Sequence, residues 1–227
     1  MNHPRFAYRF AGGALVVGAL LSLAGFFARP VVIDKSFTVD SILAIGASPD
    51  AWVMSFRMLV FGLFVRLAGL VSLGTFARSA GAKSVVVPGI VIGCAGLLVS
   101  AMAQGYYMDI ALHGVWRFQQ ETVLAGREAI LGSWLPTDEW VSCLGRMGIM
   151  FLGLGSVVLG VGLRGEAPGW VAWPLAGVGF VGMMGIFAVP GNPEVQIAAF
   201  VGLALAHGLL GMATITGGTA QARTPAG

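Results

Sequence analysis

Residues 84–108 read SVVVPGIVIGCAGLLVSAMAQGYYM, 25 positions without a charged side chain. As a helix this run would rise about 37 Å, and a bilayer core needs about 20 apolar residues per crossing. In lipid every backbone polar group must be satisfied internally, so so long an apolar run is a helix and not an open strand. Five further runs of the same kind flank it, giving expected spans at 6–27, 52–77, 84–108, 140–163, 171–189 and 195–216. Breaks separate them: Arg29-Pro30, Arg78 to Lys83, Arg164 to Gly169, and Pro190-Gly191-Asn192-Pro193. Proline cannot continue a hydrogen-bonded helix, which makes the last break the sharpest. The expected fold is an all-α, polytopic membrane helix bundle forming one domain over 1–227.

Composition agrees with the runs. Of 227 residues, 57% are hydrophobic and only 10% charged, and mean hydropathy is +0.86. Soluble domains carry about 25% charged residues, so this chain cannot cover a soluble surface. Disorder is excluded by the apolar content, and a disulfide scaffold by a cysteine count of two. The first run resembles a signal peptide in its Arg5, Arg9 and Ser22-Leu23-Ala24, but its length favours a retained helix.

Charge gives an orientation. With the N-terminus in the cytoplasm, Arg5, Arg9, Arg78, Lys83, Arg164 and Arg223 lie inside, and Arg29, Lys35, Arg117 and Arg127 outside. The bias has the expected sign and puts both termini in the cytoplasm. Glu166 is the one inner acid; Asp34, Asp40, Asp50, Asp109, Glu121, Glu128, Asp138, Glu139 and Glu194 fall outside. The pI of 9.2 does not point to nucleic acid, because the basic excess lies on inner segments and within helices.

The outer loops, 29–51 and 109–139, are long. The second mixes apolar and polar residues in the manner of amphipathic segments lying on the membrane or closing over the helix ends. Trp116, Phe118 and Trp134 are its candidates for docking a partner. Trp52, Trp116, Trp134 and Trp140 are placed for an outer aromatic belt, Trp170 and Trp173 for an inner one. Asp50-Ala51-Trp52-Val53 recurs as Asp138-Glu139-Trp140-Val141, and Arg57-Met58 as Arg146-Met147, a faint internal repeat.

Three arginines fall inside spans. Arg57 and Arg146 lie at matched depth near the outer boundary, suited either to snorkelling or to holding one anionic group such as a lipid phosphate. Arg66 sits roughly 21 Å below Trp52, too deep to snorkel easily, with no acid in any span. It should face protein, with carbonyls, hydroxyls, His207 through a water or ligand, or another chain as partner. A haem b would call on His113 and His207, whose depths differ by roughly 15 Å or more. Gln104, Tyr106 and Tyr107 form the remaining polar cluster. Cys94 and Cys143 lie at different depths, so no metal site is expected, and no catalytic motif is present. Gly89 and Gly93 form a GxxxG, and Ala14/Gly18, Ser156/Gly160 and Ala204/Gly208 repeat the small-residue spacing that lets helices approach closely.

Arg5-Phe6-Ala7 opening the first helix, the Arg29-Pro30 break and Ser41-Ile42-Leu43-Ala44 before the second resemble small bacterial six-helix membrane proteins grouped as a domain of unknown function. The resemblance implies a bacterial inner-membrane topology and no chemistry. The expected function is a non-catalytic accessory or structural subunit, associating with itself or with other membrane chains. The alternative is a redox or ligand-binding protein holding haem, quinone or an anionic lipid.

Overall fold

A computed structural model describes the backbone of residues 3–30, 38–74 and 79–221 and the side chains of 6–30, 38–74 and 79–216. The side chain of Arg5, and Asp34, Lys35, Arg78 and Arg223, lie outside the described residues. Among the described residues there are seven helices: α1 (His3–Phe27), α2 (Val39–Ala47), α3 (Pro49–Leu73), α4 (Ala80–Gln120), α5 (Leu124–Gly162), α6 (Gly169–Ala188) and α7 (Pro193–Gln221). All but α2 are long and apolar enough to cross a membrane. The chain is a multi-pass membrane protein built as an all-α bundle.

Local chemistry starts the helices where the breaks are read. The Thr38 hydroxyl accepts from Ser41 N at 3.2 Å to cap α2, and Ser79 Oγ accepts from Ala82 N at 3.0 Å to cap α4. Asn192 Oδ1 takes the amides of Glu194 and Val195, which caps α7. Pro88, Pro136 and Pro174 lie inside helices and do not end them. Such prolines are tolerated where neighbouring helices re-satisfy the freed carbonyls.

The long helices differ from the expected spans. α4 has 41 residues and α5 has 39, so each is about 60 Å long against a hydrocarbon core of about 30 Å. The segment 109–139 is therefore no surface-lying loop. It is the continuation of α4 and α5 into an antiparallel hairpin beyond the apolar spans, turning at residues 121–123. Its apolar residues pack on each other: Ala111, Val115, Phe118, Ile130 and Trp134 join Ile42 and Ile45 of α2 in a separate core. α2, packed on α4, is an amphipathic segment within the loop expected at 29–51.

Packing partners run α1–α3, α3–α4, α4–α5, α5–α6, α6–α7 and α7–α1, so the six long helices close a ring in chain order, with α2 outside it. Glycines set the close seams at a seven-residue spacing. Gly18 and Gly25 face Gly62, Ser55 and Leu59 across α1–α3, and Gly89 and Gly96 face Gly155 and Gly148 across α4–α5. Seven residues return to nearly the same helix face, so these seams extend over two turns.

Candidate functional site

The ring holds a partly open cavity of about 160 Å³ in its hairpin-end half. Five helices line it. Arg29 follows α1, Ser100, Gln104 and Tyr107 stand on α4, Asp138 and Ser142 on α5, and Gln196 on α7. Leu59, Leu63, Ile149 and Phe200 form its deeper, apolar part. Polar groups thus crowd the hairpin end and apolar ones the bundle centre. A cavity of similar size, about 150 Å³, accepts a benzene-sized molecule.

Arg29 is the cation of the wall, 7% exposed. Its Nη2 donates to Gln104 Oε1 at 2.7 Å. Its guanidinium lies 4.1 Å from the centre of the Phe56 ring and 5.1 Å from that of Phe26, within cation–π reach of both. Burial lowers its pKa to about 10, against which Tyr107 acts to raise it, so Arg29 is a cation at neutral pH. Its Nε has no hydrogen-bond partner among the described residues.

The floor rests on a second charged group. α3, α5 and α7 run in the same direction, away from the hairpin. Three residues past the lining Leu63, Ile149 and Phe200 come Arg66, Leu152 and Leu203, about 4.5 Å deeper. Arg66 is 0% exposed and His207 1%. Arg66 Nη2 donates to His207 Nδ1 at 3.0 Å and to the Leu203 carbonyl at 3.4 Å. An arginine only donates, so Nδ1 is the acceptor and the neutral imidazole carries its proton on Nε2. That proton goes to Ser156 Oγ at 3.1 Å, and the Ser156 hydroxyl donates to the Leu152 carbonyl at 2.8 Å. The proton order is fixed from α3 through α7 to α5.

Arg66 thus faces protein, and its polar partners lie within the chain. No carboxylate shares its depth: none lies on α3 beyond Asp50, on α4 before Asp109, on α5 after Glu139 or on α7 after Glu194. Arg66 Nε and Nη1 have no partner among the described residues. With Arg29 Nε, they are the buried side-chain polar atoms left unmatched there. All three belong to the two arginines at the wall and beneath the floor of one cavity.

Arg57 and Arg146 are not brought to one site. Arg57 is exposed, beside an apolar groove lined by Met54, Met58, Phe61 and Phe64. Arg146 donates to the Pro190 carbonyl at 2.7 Å, in the link between α6 and α7. α3 and α5 share no packing seam; α4 stands between them. The repeat dissolves with them. Its first copy opens α3, while its second lies inside the continuous α5. Trp52 is buried and Trp140 exposed.

The docking candidates also divide. Phe118 and Trp134 are buried, at 5% and 8%, with Trp134 seated against Gly114. They hold the hairpin together and are removed from its surface. Trp116 remains exposed. Both ring nitrogens of His207 are engaged, and His113 stands exposed on the hairpin beside Asp109, so the two histidines do not converge on one ligand. No cluster of three metal-binding side chains occurs among the described residues.

Of the wall residues, Gln104 and Tyr107 are legible as a polar cluster near a helix end. Arg29, read in the sequence only as part of a helix break, and Asp138, Ser142 and Gln196 carry no sequence signal for a site, since each lies near the end of a span. No family model, curated protein or solved structure matches the chain. The resemblance through Arg5-Phe6-Ala7 and Arg29-Pro30 therefore stands on layout alone.

Proposed function

We propose that the chain is a non-catalytic membrane protein that binds a small amphipathic molecule carrying hydrogen-bond acceptors in the axial cavity. The observation that carries this reading is Arg29: a buried cation lining the cavity whose guanidinium has N–H groups beyond the one given to Gln104. A ligand's acceptor would pair with those remaining N–H groups through charge-assisted bonds. The gradient from polar to apolar lining suits a molecule with a polar head and an apolar body. We place the protein in a bacterial inner membrane with both termini cytoplasmic, which opens the cavity toward the outside.

Gly145 provides the test. It lines the cavity, and a Cβ added there meets nothing within 4 Å. Gly145→Leu should fill the cavity and leave the bundle folded. Mass spectrometry of small molecules co-purifying with the protein should find one that is retained by the natural chain and lost from Gly145→Leu. Equal retention by both would overturn the reading.

A second reading, an accessory subunit of a membrane assembly, is supported by the hairpin. It projects past the apolar spans and carries exposed Trp116, Leu124 and Leu135. Trp116→Ser should then change the mass of the complex isolated in mild detergent, and should leave the cavity ligand in place. An unchanged mass would count against it.

A further inference from the structure

We propose that the axial cavity recognises an oxyanion, held by the Arg29 guanidinium on its wall and favoured by the charge of Arg66 beneath its floor. The proposal rests on the ligand-binding reading and narrows it from any acceptor-bearing molecule to an anionic one.

Two observations separate an anion from a neutral acceptor such as a quinone. First, Arg29 and Gln104 bring donors to the wall. Arg29 offers only N–H groups, and one of them occupies Gln104 Oε1, so the Gln104 amide turns its NH2 to its remaining surroundings. Ser100 and Ser142 add hydroxyls to the same wall. A guanidinium beside an amide NH2 and hydroxyls is the donor set that oxyanions bind, through short charge-assisted bonds.

Second, the charge beneath the floor is not balanced at its own depth. His207 accepts from Arg66 as a neutral ring and supplies no negative charge. The nearest acids in sequence on the surrounding helices lie at the hairpin end. In a water-poor interior such a charge is weakly screened and acts across several ångströms. Asp138 stands at the hairpin end of the lining and has an interaction of its own. Its negative charge at the rim favours a binding position beside Arg29, away from the rim, with the charge of Arg66 acting from below. The lateral groove beside Arg57 lacks this arrangement, because that side chain is exposed.

The oxyanion group belongs either to a free anion entering from the aqueous side or to a lipid headgroup entering from the leaflet. Equilibrium binding to the full chain in nanodiscs of neutral lipid separates the cases, with four probes: inorganic phosphate, hexanoate, dihexanoyl phosphatidate and the uncharged dihexanoylglycerol. At least one anion should bind 10-fold or more tightly than dihexanoylglycerol. Arg29→Gln should weaken it 10-fold or more, Gly145→Leu should abolish it, and Arg57→Gln should leave it unchanged. Binding of phosphate or hexanoate assigns a free anion; binding of phosphatidate alone assigns a lipid headgroup. If dihexanoylglycerol binds as well as the anions and Gly145→Leu blocks it, the oxyanion is refuted while the ligand cavity stands. Equal losses in Arg29→Gln and Arg57→Gln would assign the effect to surface charge and also refute it. If no probe binds and no co-purifying molecule depends on Gly145, both readings fall. Should Arg29→Gln not fold, the selectivity of the natural chain and the Gly145→Leu block decide.

Discussion

Arg66 and His207, 141 residues apart in sequence, meet at 3.0 Å in the centre of the bundle, and the arginine holds the imidazole as an acceptor. One hydrogen bond thereby ties α3 to α7, and the Ser156 contact carries the tie to α5. The floor of the cavity is built on this junction.

Removing one partner should cost more than removing both. His207→Ala leaves the Arg66 cation with the Leu203 carbonyl alone and should destabilise by about 3 kcal/mol. Arg66→Met with His207→Leu replaces the pair by apolar groups and should recover most of that loss. Thermal unfolding in detergent measures the cycle. A His207→Ala protein as stable as the natural chain would show that the pair bears no weight.

The tautomer is separately accessible. In protein carrying ¹⁵N-labelled histidine, His207 at neutral pH should show a protonated Nε2 and a bare Nδ1 by magnetic resonance. Ser156→Ala removes the acceptor of that Nε2 proton and should cost about 1–2 kcal/mol. A protonated Nδ1 would contradict the proton order from Arg66 to Leu152.

Two neighbouring glycines should respond in opposite ways to the same substitution. A Cβ at Gly18 would stand 2.6 Å from the Arg66 backbone nitrogen and 2.7 Å from the Gly62 carbonyl oxygen, whereas one at Gly13 meets nothing within 4 Å. Gly18→Ala should part α1 from α3 and destabilise by about 2 kcal/mol. Gly13→Ala should be neutral or stabilise by up to about 1 kcal/mol through helix propensity. Similar unfolding temperatures for the two variants would refute the close α1–α3 seam.

The hairpin should melt apart from the bundle. Gly114 receives the Trp134 ring, and any side chain there displaces it. Gly114→Val should speed hydrogen exchange along 109–139 by roughly 100-fold, as expected when a local core worth about 3 kcal/mol is lost. Protection of α3 and α7 around Arg66 and His207 should persist. Uniform loss of protection would mean the two cores are one cooperative unit.

Topology follows from helix parity and charge. With Cys94 and Cys143 replaced by alanine, single cysteines at Lys83 and Glu128 should react with impermeant reagents from opposite sides of the membrane, Lys83 from the cytoplasm. Labelling of both from one side would break the six-span arrangement.

The sequence by itself determined the class and the crossings. Runs such as 84–108 are too apolar and too long for anything but spanning helices, and this follows from solvent physics without any neighbour. It also marked Arg66, because a cation that deep must meet protein. It could not say that the partner is His207, since that requires α3 and α7 to turn matching faces to one axis. Nor could it tell that residues 109–139 continue two helices. Amphipathic periodicity is the same for a helix on a membrane surface and for one packed in a hairpin, and only the seating of Trp134 on Gly114 separates them. The cavity was the least legible feature. Arg29, Gln104, Ser142 and Gln196 stand on four different segments, and only ring closure in the tertiary structure brings them to one wall.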